Sequence, residues 1–387
     1  VSCTTPDPAC VRSFVVGFGK RAFRAPLTDA QVNAYTELMA TMPDFPGAVQ
    51  AVVSAMLQSP YFLYRREMGT KQGDTYTLSP YEIASELSYL ITGSMPDDAL
   101  MQAADSGALA DVAEIETQAQ RLLQTPRARA ALGDFFLQWL QVADLDRLAR
   151  SESTTPLEDP IKAAMTQETR LLVEETMFDR GGGLAELLTA DHTFVNDTLA
   201  QHYGMPPVGS GPDFVAAPTA PAREPGVLGH GGVISAASQA TFASPTLRGR
   251  MVRMRLLCDS VPPPPPATPP LSPATPGQTT RQRFAAHATD PACSGCHNLM
   301  DPVGFAFGRF DTLGKLRAGN LENGQPVDTT GALNPGPTSG GTPVALTGLG
   351  DLLKNLAQSP AVGACLSRHL AMYAYGALTW AQDACTF

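Results

Sequence analysis

The sequence predicts a mostly α-helical protein in which a helical N-terminal region is joined by a polyproline strap to a distinct C-terminal module. Apolar residues recur at helical spacing through the first half of the chain, whereas strand-like runs are short and interrupted by glycine or proline. A proline-dominated run then occupies residues 261–279, where it favours extended polyproline II backbone and excludes helix. We therefore expect helical domains over 1–260, a linker over 261–279 and a separate module over 280–387.

Local signals set the ends of the clearest helices. Ser79-Pro80-Tyr81-Glu82 is typical of a capping box with proline at the first helical position, and Gly93 marks the expected end of that helix. An apolar stripe from Val49 to Leu57 predicts an earlier helix that ends at Ser59-Pro60. Further elements are expected as helices over 114–124, 128–142 and 161–178, and as strands at Phe214-Val215 and over 227–234.

Composition narrows the class of protein. The 387 residues carry a formal net charge of −10, which disfavours nucleic acid and anionic membrane surfaces as partners. No apolar run is long enough to span a bilayer, so no transmembrane segment is expected. The chain begins with Val1 rather than Met and looks processed or excerpted. Its 7 cysteines suit an oxidising compartment, so we expect a periplasmic or an extracellular, cell-surface location.

Five cysteines lie outside the most distinctive motif of the chain. The simplest disulfides join Cys3 to Cys10 and Cys365 to Cys385, which bracket a short loop and the last expected helix. Cys258 is then left over, either as a buried free thiol or paired with a missing segment or another chain. Connectivity does not follow from spacing alone, so these pairings are expectations.

That motif is Cys293-Ser-Gly-Cys-His297, which has the C-x-x-C-H spacing of covalent haem attachment. Cys293 and Cys296 would form thioethers to the haem vinyl groups, and His297 would be the proximal iron ligand. Structural zinc would need a second pair of ligands at similar spacing, and none is present. A redox dithiol would follow a strand, whereas residues 281–292 read as helix. The sequence therefore predicts one covalent haem c.

The sixth iron ligand decides between two kinds of haem chemistry. A histidine or methionine there gives an electron carrier, whereas an open position permits reactions with peroxide or oxygen. The candidates are His287, His369 and Met372, since Met300 lies too close to His297 in sequence to reach the opposite face. Each of them is also compatible with an ordinary core or surface role.

Other residues would complete the haem pocket. Arg309 and Arg317 are candidates to bind the haem propionates, or else they pair with Asp301 or Asp311. An apolar wall is expected from nearby side chains, which would also suit a generic core: Phe305, Phe307, Phe310 and Leu313. The dinucleotide-like pattern Gly17-Phe-Gly-Lys-Arg-Ala22 is discounted, because it fits a helix face and no strand–helix–strand unit follows.

Residues 293–317 resemble the haem segment of the planctomycete-type cytochrome c family, large secreted haem c proteins built from consecutive domains of unknown function. Other segments agree with its helical domains, in order: Lys20–Thr28, Ser59–Arg65, Ser79–Tyr89, Ser94–Asp98, Ala190–Asn196 and Ser244–Arg250. The resemblance implies a secreted or periplasmic haem c protein with a cytochrome c-like C-terminal module. His287 matches a histidine often found before the motif in this family, whereas His369 and Met372 fall at positions it does not fix.

These observations predict an extracytoplasmic monohaem c-type cytochrome that transfers electrons to a redox partner the sequence does not specify. An electron-transfer protein is favoured over an enzyme, so no catalytic residue is assigned. One alternative is a haem enzyme of peroxidase or oxygenase type with an open distal site. Another is a structural or filament-forming haem protein that assembles as a homo-oligomer or with other chains.

Overall fold

The computed structural model describes residues 7–152, 155–221, 223–263, 271 and 275–376. The chain divides into two compact units, 1–131 and 132–387. The described residues are mostly helical, as predicted, and their strands form five separate antiparallel pairs. Within these residues no helix combines the length and the apolar character that crossing a bilayer would require.

Helices dominate the first unit. Its elements are α1 (Pro8–Phe23), α2 (Asp29–Ala40), α3 (Phe45–Leu57), α4 (Pro60–Leu63), β1 (Thr70–Gln72), β2 (Thr75–Thr77), α5 (Pro80–Thr92), α6 (Asp98–Asp105) and α7 (Val112–Leu123), and α8 (Pro126–Trp139) crosses into the second unit.

Side-chain caps place the helix ends of this unit as the sequence predicts. Ser79 Oγ accepts from the backbone of Glu82 at 3.3 Å, and the Glu82 carboxylate accepts from the backbone of Ser79 at 2.8 Å. Gly93 ends α5 with φ of 62°, a conformation that favours glycine. α3 ends at Leu57, and Ser59 caps the short helix that follows. The predicted boundaries are correct because neighbouring side chains hydrogen bond to the free backbone N–H groups at the helix ends.

Helices of very different length and short antiparallel strand pairs make up the second unit. They are β3 (Ser151–Glu152), β4 (Thr155–Pro156), α9 (Asp159–Glu174), α10 (Leu184–Thr189), β5 (His192–Val195), α11 (Asp197–Tyr203), β6 (Val215–Pro218), α12 (Gly231–Ala236), α13 (Pro245–Met251), α14 (Thr280–Thr289), α15 (Pro291–Phe305), β7 (Leu321–Glu322), β8 (Gln325–Pro326), β9 (Gly331–Leu333), β10 (Val344–Leu346), α16 (Leu349–Ala357) and α17 (Pro360–Tyr375).

One predicted strand is wrong and another is confirmed. Residues 227–234 form a 3-10 turn at Val227–Gly229 followed by α12, and both are buried. A short apolar run that is buried on all sides has no periodicity that separates strand from helix, which explains the error. Val215 begins β6, which pairs with β5 as expected of a strand.

A single apolar core unites segments that lie on both sides of the proline-rich run. It contains Trp139 and Leu172 from before that run together with Phe307 and Leu353 from after it. The expected domain bounds, 1–260 and 280–387, stay a prediction, and residues from both sides of the run contribute to this core. Most of the expected strap over 261–279 lies outside the described residues.

Helices α13 and α15 cross at backbone contact within this core. A β-carbon on Gly249 would lie 1.9 Å from the Met300 carbonyl oxygen, and one on Gly304 would lie 1.8 Å from the Pro245 carbonyl oxygen. Only glycine permits such an approach without displacement of the partner helix. The two glycines therefore fix α15 against α13.

A disulfide between Cys258 and Cys365 corrects two expectations. Its sulfur atoms are 2.09 Å apart, so Cys258 is not free and Cys365 is not paired with Cys385. The contact follows from tertiary packing of α17 beside Val252–Leu256, the helical turn that follows α13, which sequence spacing does not reveal. Cys10 is also disulfide-bonded. Its expected partner Cys3 lies outside the part of the chain that the structure describes, as does Cys385.

Candidate haem-binding site

The first turns of α15 carry the C-x-x-C-H motif. Asp290 caps this helix by accepting a hydrogen bond from the backbone of Ala292 at 2.8 Å. Residues three and four apart on a helix share one face, so Cys293, Cys296 and His297 lie together. Cys293 is half-buried, Cys296 is exposed, and both thiols are free. The motif therefore presents two accessible thiols and an imidazole from a single rigid element.

A carboxylate one turn further along α15 orients His297. The Asp301 Oδ2 atom lies 2.8 Å from His297 Nδ1, and the two side chains are 6% and 20% exposed. Thr246 on α13 donates from Oγ1 to the other oxygen, Oδ1, at 2.7 Å. A carboxylate that accepts from Nδ1–H leaves Nε2 with its lone pair for a metal. Nε2 of this imidazole is therefore available to bind a metal ion.

Two buried arginines, Arg248 on α13 and Arg253 just after it, donate hydrogen bonds to backbone carbonyls of α15 and of the residues that follow it. Arg248 donates to the carbonyls of Phe307 at 2.8 Å and Phe310 at 3.1 Å, just beyond the end of α15. Burial lowers the pKa of Arg248 to about 9, so the side chain remains charged at neutral pH. Arg253 donates to the Leu299 carbonyl at 3.1 Å. These contacts anchor the segment that carries the motif.

The structure brings one distal candidate, His287, next to the motif. Its ring centroid on α14 lies 4.4 Å from that of His297, and Phe284 packs edge-on against it at 5.3 Å. Burial, and then the nearby His297, lower the pKa of His287. Aromatic rings in direct contact have centroids about 4.5–7 Å apart, so no flat group fits between these two tilted imidazoles. Binding of one iron from opposite faces would require α14 to move.

Two other candidates, His369 and Met372, line a separate cavity. It has a volume of about 500 Å³, and its lining includes Trp139 and Arg255 but none of the motif residues. Met300 is buried on α15 itself, where its backbone meets Gly249. Neither His369 nor Met372 is brought to the motif in this arrangement, and their assignment as iron ligands stays a prediction.

Arg309 and Arg317 already have carboxylate partners. Arg309 forms an ion pair with Glu224 and donates to Asn320 Oδ1 at 2.8 Å. Arg317 lies 3.6 Å from Glu152 and 3.4 Å from Glu322. Their expected role at the haem propionates stays a prediction, because propionates would compete with these carboxylates.

The residues expected to form an apolar wall divide between the core and a contact with Arg281. Phe307, Phe310 and Leu313 belong to the core of the second unit. Phe305 lies under the guanidinium of Arg281, whose central carbon is 4.0 Å from the ring centroid. The alternative of a generic core, which the sequence left open, accounts for Phe307, Phe310 and Leu313.

Two sets of potential ligands share His297. One cluster of potential metal ligands joins His287, His297 and Asp301, whose ligand atoms lie within 4.8 Å of one another. Neither Cys293 nor Cys296 belongs to it, although both are free and a thiolate zinc site would use them. Accessible, unpaired thiols next to an oriented imidazole instead suit covalent haem attachment.

Sequence reasoning missed two residues of this site. Asp301 follows His297 at the i+4 position of one helix, which was a usable signal. Thr246 lies 55 residues from Asp301 in sequence, and no pattern joins them.

Models of three protein families match consecutive segments of the chain. They are PSD5, a protein of unknown function (DUF1595), over residues 10–67, PSD4, a protein of unknown function (DUF1592), over 78–205, and PSCyt3, a protein of unknown function (DUF1588), over 224–320. The PSCyt3 segment contains both α13 and the motif on α15, and its name indicates a cytochrome. No curated protein and no solved structure matches the chain. The chain therefore belongs to the planctomycete-type cytochrome c family, whose members are built from these consecutive domains of unknown function.

Proposed function

We propose that the chain is a monohaem c-type cytochrome that transfers electrons outside the cytoplasm. Cys293 and Cys296 would hold the haem by thioether bonds, and His297 would bind its iron. The observation that carries this proposal is the 2.8 Å contact between Asp301 and His297 Nδ1, because it leaves Nε2 free beside two unpaired thiols. The bound group would supply a one-electron iron couple.

The protein's own contribution is rigid placement of these three side chains. α15 fixes their spacing, and the Gly249 and Gly304 contacts fix α15 on α13. An electron carrier benefits from a site that does not reorganise between oxidation states, which a close-packed helix pair provides. A periplasmic or cell-surface location agrees with the Cys258–Cys365 disulfide, since disulfides persist in oxidising compartments.

The test is to produce the protein in a host that attaches haem c and to count covalent haem by the pyridine haemochrome assay. We expect one haem per chain, loss of covalent attachment in the Cys293→Ser, Cys296→Ser double variant, and altered ligation in His297→Ala. His192→Ala is a matched control, because His192 also pairs with a carboxylate, Glu175, at 2.7 Å. A wild-type chain without covalent haem would refute the proposal.

A second candidate is a haem protein with an open sixth position. It is favoured by one observation, the placement of His369 and Met372 in a cavity that does not include the motif. Exposure of the reduced protein to CO separates the two functions. Unchanged low-spin bands support the electron carrier, whereas a CO-induced shift supports ligand or peroxide chemistry.

A further inference from the structure

Thr246, Asp301 and His297 form a continuous hydrogen-bonded chain from α13 to the proposed iron ligand. Thr246 Oγ1 donates to Asp301 Oδ1 at 2.7 Å, and Asp301 Oδ2 accepts from His297 Nδ1 at 2.8 Å. Each carboxylate oxygen therefore has its own partner. The Asp301 side chain is 6% exposed, so water competes little for either oxygen.

We propose that Asp301 and Thr246 set the reduction potential of the haem site by tuning the electron donation of His297. This inference rests on the proposed function and adds a role for two residues that touch neither haem nor iron. Both are positioning residues that act through the His297 imidazole.

The two residues act in opposite directions. Asp301 draws the Nδ1 proton towards a negative charge, which makes the imidazole a stronger donor and stabilises ferric over ferrous iron. The Thr246 hydroxyl donates into the same carboxylate and so weakens its pull on that proton. Asp301 thus lowers the reduction potential, and Thr246 limits how far it falls.

The packing of α13 on α15 holds the hydrogen-bond distances between Thr246, Asp301 and His297 constant. Thr246 lies on α13 between Pro245, which meets Gly304, and Gly249, which meets Met300. These close approaches bracket the Thr246–Asp301 hydrogen bond along the helix pair. A side chain from the helical region before residue 261 therefore controls a ligand in the segment after it.

Redox titration of the haem-loaded protein tests the proposal. Asp301→Asn should raise the midpoint potential by about 59 mV, which corresponds to a tenfold change in the one-electron equilibrium. Thr246→Val should lower it by a smaller amount, and Thr246→Ser, which keeps the hydroxyl, should leave it near the wild-type value. Glu175→Gln is the matched control, because it removes a carboxylate from a histidine outside the motif.

Opposite shifts of the midpoint potential in Asp301→Asn and Thr246→Val distinguish tuning from a general loss of structure, which would shift both potentials in the same direction. An unchanged or lowered potential in Asp301→Asn, with wild-type haem content, overturns the inference while the proposed function stands. If Asp301→Asn fails to retain haem, Thr246→Val decides, and an unchanged or raised potential there overturns the inference. Absence of haem from the wild type refutes the proposed function instead.

Discussion

Gly249 on α13 lies directly against the backbone of Met300 on α15, where a β-carbon would come within 1.9 Å of the Met300 carbonyl oxygen. Met300 is three residues beyond the proposed iron ligand His297. The distance between the two helices is therefore limited by main-chain atoms, which cannot yield as a flexible side chain can.

Gly249→Ala should destabilise the second unit. The new methyl group has no space without separation of α13 from α15, so we expect a loss of about 1–3 kcal/mol in the free energy of unfolding. Urea denaturation followed by circular dichroism measures it. Gly363→Ala on α17 is the control, because a β-carbon there meets no atom within 4 Å, and alanine should be neutral or slightly stabilising. Equal stability of the two variants would contradict the backbone contact.

Asp259→Asn should be strongly destabilising, because Asp259 and Arg253 form an ion pair in which both side chains are 0% exposed. Removal of one charge leaves the other buried without compensation, at a loss of about 3–5 kcal/mol in unfolding free energy. Asp259 also accepts from the backbone of Ser339 at 2.9 Å.

The exposed pair of Asp144 with Arg147 provides the comparison for that variant. Its side chains are 68% and 77% exposed, so Asp144→Asn should change unfolding free energy by no more than about 1 kcal/mol. Thermal denaturation of both variants under the same conditions would reveal the difference. Similar small losses would show that Arg253 is solvated rather than buried.

Peptide mapping without reduction should recover Cys258 linked to Cys365. This disulfide closes a loop across a sequence separation of 107, for which chain entropy predicts a stabilisation of about 4–5 kcal/mol. The Cys258→Ser, Cys365→Ser double variant should unfold at correspondingly lower denaturant while it keeps covalent haem. Recovery of a Cys365–Cys385 peptide would contradict the structure.

Acidification should destabilise the fold through His230. Burial lowers the pKa of this imidazole in the folded state, and it lies 3.1 Å from Thr169 Oγ1 and 3.3 Å from Thr193 Oγ1. Below the unfolded-state pKa, about 6.5, the unfolded chain takes up a proton that the folded chain does not. The wild type should therefore lose up to about 1.4 kcal/mol per pH unit below this point from His230 alone.

His230→Asn tests this assignment, since asparagine can still hydrogen bond but does not titrate in this range. Unfolding by urea at several values between neutral and mildly acidic pH should show a shallower decline for the variant. Identical pH dependence of the two proteins would mean that His230 contributes nothing.

The features that the sequence predicts correctly depend on residues that are close together in the chain. Ser79 and Gly93 satisfy the ends of one helix through neighbouring residues, so their sequence signals sufficed. The C-x-x-C-H spacing likewise places its three side chains on one helix face. Val227–Gly229 was missed because uniform burial removes periodicity, and Cys258 because its partner is brought close only by tertiary packing. Thr246 reaches Asp301 for the same non-local reason.

The Cys258–Cys365 bond also changes what a protease could achieve. One sulfur atom lies before the proline-rich run and the other lies after the C-x-x-C-H motif, so a single cut anywhere between them yields two peptides that remain one covalent molecule. A nicked protein would therefore keep its motif-bearing segment attached to the helices that support it. After a single cut, release of that segment would also require reduction of the disulfide.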